Sequence, residues 1–106
     1  MNKLIKDGKV AVLVSPGYGA GWSTWCYGSR EQKEIMCMDA EIVQAFLDKN
    51  QPEVARLVEL KVPGSYIGGY EDLKIQWVPV GTAFRIEEYD GSESLQEFDK
   101  IEYMVA

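Results

Sequence analysis

Lys9-Val10-Ala11-Val12-Leu13-Val14 is the stretch whose reading decides the fold. Its apolar residues run without a break, so an extended chain here is hydrophobic on both sides, and its valines favour the pleated conformation. Such a strand sits at the centre of a sheet, with cover on each face. Just upstream, Lys3-Leu4-Ile5-Lys6 reads as a partner arm, and Asp7-Gly8 supplies the two-residue turn that closes a hairpin. Val10 to Val14 is also the longest apolar run, far too short to cross a bilayer.

Downstream the pattern changes twice. Asp39 is placed to cap a helix from Ala40 to about Lys49, with Ile42, Val43, Phe46 and Leu47 on one face. Asn50 or Gln51 caps a second helix, with Pro52 in its first turn and Val54, Leu57 and Val58 at helical spacing, and Pro63-Gly64 ends it. After that the period becomes two. Leu73, Ile75 and Trp77 alternate with Lys74 and Gln76; Phe84 and Ile86 with Arg85 and Glu87; Ile101, Tyr103 and Val105 with Glu102 and Met104. Turns fall at Val80-Gly81-Thr82 and Tyr89-Asp90-Gly91-Ser92. The pattern predicts an α+β domain over residues 1–106, with two short helices on one face of a sheet. That sheet is antiparallel or mixed, of about four to six strands, and Val10–Val14 joins the C-terminal meander at its centre.

The chain has 106 residues, 46% of them hydrophobic and 26% charged, which suits one ordinary core. Seventeen acidic against eleven basic residues give a net charge of −6. That balance disfavours direct nucleic-acid binding and anionic membranes, and it favours basic protein surfaces. Cys26 and Cys37 are the only cysteines, no signal-peptide pattern is visible, and free thiols in a cytoplasm are expected.

Catalytic chemistry finds little purchase. There is no histidine, hence no common general base, nucleophile partner or metal ligand of that kind. Two cysteines do not complete a zinc site. Cys26 reads either as a thiol activated by Arg30 or as a small buried hydrophobe beside tryptophan. Gly17-x-Gly19-x-Gly21 follows a strand, but its spacing matches neither the dinucleotide fingerprint nor a P-loop. No catalytic residue, metal or cofactor is expected.

Two segments stand out instead. Pro16 to Arg30, PGYGAGWSTWCYGSR, is rich in glycine and aromatics without a regular period, and Ser65-Tyr66-Ile67-Gly68-Gly69-Tyr70 repeats that chemistry. If the two loops meet, Tyr18, Trp22, Trp25, Tyr27, Tyr66 and Tyr70 form an aromatic pocket for a flat ring, with Arg30 or Arg85 for a phosphate. The competing reading has the aromatics plug one end of the core. The second segment is acidic: Glu87, Glu88, Asp90, Glu93, Glu97, Asp99 and Glu102 face only Arg85 and Lys100 from Ala83 onward. Glu87, Glu88, Asp90 and Glu93 are the candidates for docking on a basic partner; the alternative is a solvated face that protects a strand edge.

GYGAGWSTW (Gly17–Trp25), YIGGY with LKIQW (Tyr66–Trp77) and GTAFRIEEYDGSES (Gly81–Ser94) together resemble a set of short accessory proteins encoded by bacteriophages and prophages. There a GAGWSTW-like motif is similarly paired with a C-terminal EYDGSE-like strand. The resemblance implies a phage protein acting in the bacterial cytoplasm and carries over no catalytic residues. Proteins of that kind often counter host defence. The expected function is therefore non-enzymatic inhibition of a host bacterial immune protein by direct binding, with the acidic surface on a basic site. The alternative is a sponge that sequesters a cyclic-nucleotide-type, nucleotide-like defence signal in the glycine-aromatic pocket. A homodimer or higher oligomer is a further expectation, since a small domain can bury exposed aromatics against its own copy.

Overall fold

A computed structural model describes residues 1–98 and 104–106. The chain has an α+β fold. The hydrophobic run forms strand β2 (Lys9–Val14), and β1 (Ile5–Lys6) pairs with it antiparallel across a turn in which Asp7 and Gly8 both have positive φ. On its other side β2 pairs antiparallel with β3 (Lys74–Pro79), Val10 facing Val78 and Leu13 facing Ile75. The central position expected for this strand is correct.

Three helices follow β2, one more than the sequence reading placed. Helix α1 (Arg30–Met38) starts at a capping box: Ser29 accepts from the Gln32 backbone N–H while the Gln32 side chain accepts from that of Ser29. Helix α2 (Ala40–Leu47) is capped by Asp39, and α3 (Gln51–Lys61) by Asn50, each side chain accepting a backbone N–H. Asp39 is buried and also takes a 2.9 Å bond from Lys61, whose ammonium donates to Glu41 at 2.7 Å as well. Burial pulls the Lys61 pKa down, but the bonds to Glu41 and Asp39 outweigh it and raise the pKa above its usual value. This ties the end of α3 to the start of α2. Helix α2 stops at Leu47, which is exposed, and Ala45 takes the buried position instead.

The single sheet expected from the period-two segments is in fact two three-stranded sheets, β1-β2-β3 and β5-β4-β6, where β4 is Ala83–Tyr89, β5 Ser92–Phe98 and β6 Met104–Val105. The meander breaks between β3 and β4. The physical reason lies in β2, which has two apolar faces to cover. Ala11 and Leu13 pack with Ile42, Val43, Val54 and Leu57 of the helices. Val10, Val12 and Val14 pack with Phe84 and Ile86 of the second sheet and with Cys37 and Met38. Had β4 continued beside β3, that valine face would have met water, at a cost of about 25 cal/mol per Å² of apolar surface. In β6 the faces are reversed from the expected alternation: Met104 packs on the core and Val105 is exposed. The Ile101–Tyr103 part of that expected strand lies outside the described residues, as do Asp99, Lys100 and Glu102.

Candidate functional site

The site begins with a buried carboxylate. Glu93 is the second residue of β5, close after the two-residue turn Asp90-Gly91, where both residues have positive φ. Its side chain is buried, contrary to its expected place on an exposed docking face. The reason is its partners. Oε1 accepts from the Ser15 N–H at 2.9 Å, and Oε2 accepts from the N–H groups of Trp22 and Thr24 at 2.7 and 3.0 Å and from the Thr24 hydroxyl. The loop that follows β2 has few backbone partners of its own, and this one carboxylate collects three of its N–H groups and one hydroxyl.

Further bonds close the same junction. The Glu93 N–H donates to Ser15 O, Gly19 N–H to Asp90 O, and the Ser92 hydroxyl to Pro16 O at 2.7 Å. Ser15 Oγ bridges the carbonyls of Ala20 and Gly69, so the two glycine-aromatic loops do meet. They meet because glycine lets them. A Cβ on Gly69 would run into the backbone of Gly21, and one on Gly91, whose φ is +83°, into the backbone of Ala20.

The aromatic residues divide into three groups. Trp22 is wholly buried, its indole N–H donating to Met36 O at 2.6 Å, so it belongs to the core and not to a pocket. Tyr70 is half-buried, edge-on to Phe46 at 6.0 Å, and likewise packs on the core that Ala11 and Leu13 form with the helices. Tyr18, 75% exposed, does not line the cleft. The core-plug reading is correct for Trp22 and Tyr70.

Trp25 and Tyr66 form something else. Their rings stack with centroids 5.8 Å apart, and they line an open cleft of about 290 Å³ together with Tyr27, Gln32, Pro63 and Ser65. Both walls are held from behind. The Tyr66 ring end occupies the space a side chain on Gly68 would fill, and the Trp25 indole N–H donates to Glu88 Oε2 at 3.0 Å. That oxygen also accepts from Gly91 N–H at 2.8 Å. The two bonds, that from Trp25 first, hold the Glu88 carboxyl below its usual pKa. Ser65 Oγ is buried with no hydrogen-bond partner among the described residues.

The arginines expected to serve a phosphate do not line this cleft. Arg85 is on β4, paired with Glu87 at 2.6 Å, and Arg30 opens α1. Glu87, Glu88 and Asp90 are exposed on the β4–β5 hairpin, as is Tyr89 beside them. Of the pocket residues, Gln32 escaped the sequence reading, Pro63 carried only a helix-stop signal and Ser65 only opened the second loop; Ser29-x-x-Gln32 was the available sign of α1.

Both cysteines are free and buried. Burial, with the nearby charges of Glu93 and Glu34, pushes the Cys37 thiol far above its usual pKa, so it stays protonated and inert. Among the described residues no group of three or more His, Cys, Asp or Glu side chains could hold a metal ion, and no helix is long and apolar enough to cross a membrane. No family model, curated protein or solved structure matches the chain.

Proposed function

We propose that this protein is a non-enzymatic binding protein that docks the acidic β4–β5 hairpin on a basic site of another protein and blocks it. The observation that carries this reading is the hairpin itself: Glu87, Glu88 and Asp90 are exposed around Tyr89, on a turn bonded to the loop behind it. A pre-set acidic surface steers a basic partner and loses little entropy on binding. Glu93 has no part in docking, because its carboxylate is spent inside. The phage resemblance suggests a host bacterial immune protein as the target and the bacterial cytoplasm as the place.

A complex isolated from infected or expressing bacteria provides the test. Its affinity falls with rising salt and with Glu87→Lys or Asp90→Asn, the asparagine being chosen because it tolerates the positive φ of that position. A complex indifferent to salt and to both substitutions contradicts the reading. The nucleotide-sponge reading keeps one supporting observation, the stacked Trp25–Tyr66 walls, but no lysine or arginine is among the residues lining that cleft.

A further inference from the structure

Strand β3 closes one edge of its sheet, and its outward side is open. Bonded and non-bonded pairs alternate along an antiparallel ladder. Ala11 N–H donates to Leu4 O, so Ala11 turns its backbone groups toward β1, and its neighbours Val10, Val12 and Val14 turn theirs toward β3. Their partners Val78, Gln76 and Lys74 are thereby used, and the N–H and C=O groups of Ile75 and Trp77 point away from the sheet. No bond to those outward groups is present among the described residues. The free stretch is bounded on both sides: Leu73 N–H already donates to Tyr70 O, and Pro79 has no N–H. An open groove of about 380 Å³ separates Lys74, Ile75 and Gln76 from Glu93, Ser94 and Leu95 of the second sheet.

We propose that the protein forms a two-fold dimer through this edge, joining the β1-β2-β3 sheets of two copies into one six-stranded sheet. The proposal does not depend on the docking reading. In one antiparallel register, with the axis at Gln76, Ile75 of each chain faces Trp77 of the other, and every outward N–H and C=O of both residues is bonded. The facing side chains suit that register. Ile75 and Trp77 share the helix side of the sheet, where a β-branched residue and an aromatic favour each other across strands; Ile75 is half-buried and Trp77 is 37% exposed. The two exposed Gln76 amides meet at the axis as donor and acceptor. Each Lys74 faces a Val78, so no like charges lie opposite each other. A net charge of −6 pushes copies apart, yet Lys74–Pro79 carries no acidic residue. The edge of β5 is a poorer match to itself, since Ser15 O already takes the Glu93 N–H and the strand carries both Glu93 and Glu97. Pairing uses up the β3 edge in both copies, so assembly closes at two.

Sedimentation velocity of the full chain over a range of concentrations tests the proposal, and a reversible dimer is expected. Gln76→Glu and Gln76→Lys each set a like charge against itself at the axis. Each is expected to weaken the dimer several-fold at low salt, with part of the loss recovered as salt rises. Mixed together, the two variants are expected to pair at a concentration where neither pairs alone. Gln76 is exposed, and denaturation curves establish that both variants are folded. Gln96→Glu on β5 is expected to leave association unchanged. A chain that stays single at millimolar concentration overturns the proposal. So does a dimer indifferent to the charge at position 76, and so does one broken by Gln96→Glu, which would place the contact on β5.

Discussion

Two ends of the loop after β2 are held by two glutamates that face each other across the β4–β5 ladder. At the Ser15–Thr24 end, Glu93 is buried and accepts only from groups of the loop's own frame. At the Trp25–Gly28 end, Glu88 is exposed and holds an indole that walls an open cleft. Like charges directly opposite on a sheet ordinarily destabilise it. Here each carboxylate is drawn to its own set of donors, and the same residue type serves as internal cement in one place and as a surface in the other. Composition could not separate them; the donors within reach do.

The comparison breaks most easily at Glu93. Glu93→Ala leaves three backbone N–H groups without an acceptor, those of Ser15 and Trp22 buried and that of Thr24 part-buried, and a loss of about 3–5 kcal/mol in urea denaturation is expected. A loss under about 1 kcal/mol would mean that water replaces the carboxylate freely. Trp22→Phe tests the neighbouring core: it strands the Met36 carbonyl and opens a small void, for about 2–4 kcal/mol. Gly91→Ala asks whether the turn between the glutamates needs its close approach to Ala20. About 1–3 kcal/mol is expected, from the positive φ and the backbone collision together.

Glu88→Gln gives the smallest effect and sharpens the contrast. The folded pKa of Glu88 lies below its unfolded value, so its contribution is fully present above the ordinary carboxylate range and fades as pH falls through the lowered folded value. The stability gap between wild type and Glu88→Gln therefore closes in acid. A gap that widens in acid contradicts the assignment.

Local signals account for what the sequence made legible. The unbroken apolar run, the Asp7-Gly8 turn and the caps at Asp39 and Asn50 act over a few residues, and each sits where its own chemistry puts it. Helix α1 was legible too, in Ser29-x-x-Gln32, but the glycine-aromatic run before it and its polar first half hid the pattern. The burial of Glu93 had no local sign. Its bonds to Ser15, Trp22 and Thr24 join residues 69 to 78 positions apart, and an acidic run reads as a wet face. The split into two sheets was hidden for a similar reason, since period two fixes which side chains share a face but not which strand lies alongside. For the candidate site, the residue types were legible, while the meeting of the loops stood only as a condition that the Ser15 and Gly69 contacts meet. Which tryptophan turns inward was not legible: Met36 O accepts from the Trp22 indole inside the core and Glu88 from that of Trp25 at the surface, and neither acceptor is near in sequence.

Amide hydrogen exchange at Ser15, Trp22 and Thr24 tests the glutamate assignment most directly, with Val12 of β2 as the internal reference. Loop amides ordinarily exchange fast. With Glu93 in place, the three are predicted to exchange nearly as slowly as Val12, and Glu93→Ala, which removes both acceptor oxygens, is predicted to speed all three far more than Val12. Fast exchange of the three in the wild-type protein would contradict the buried clasp, and with it the division of labour between the two glutamates.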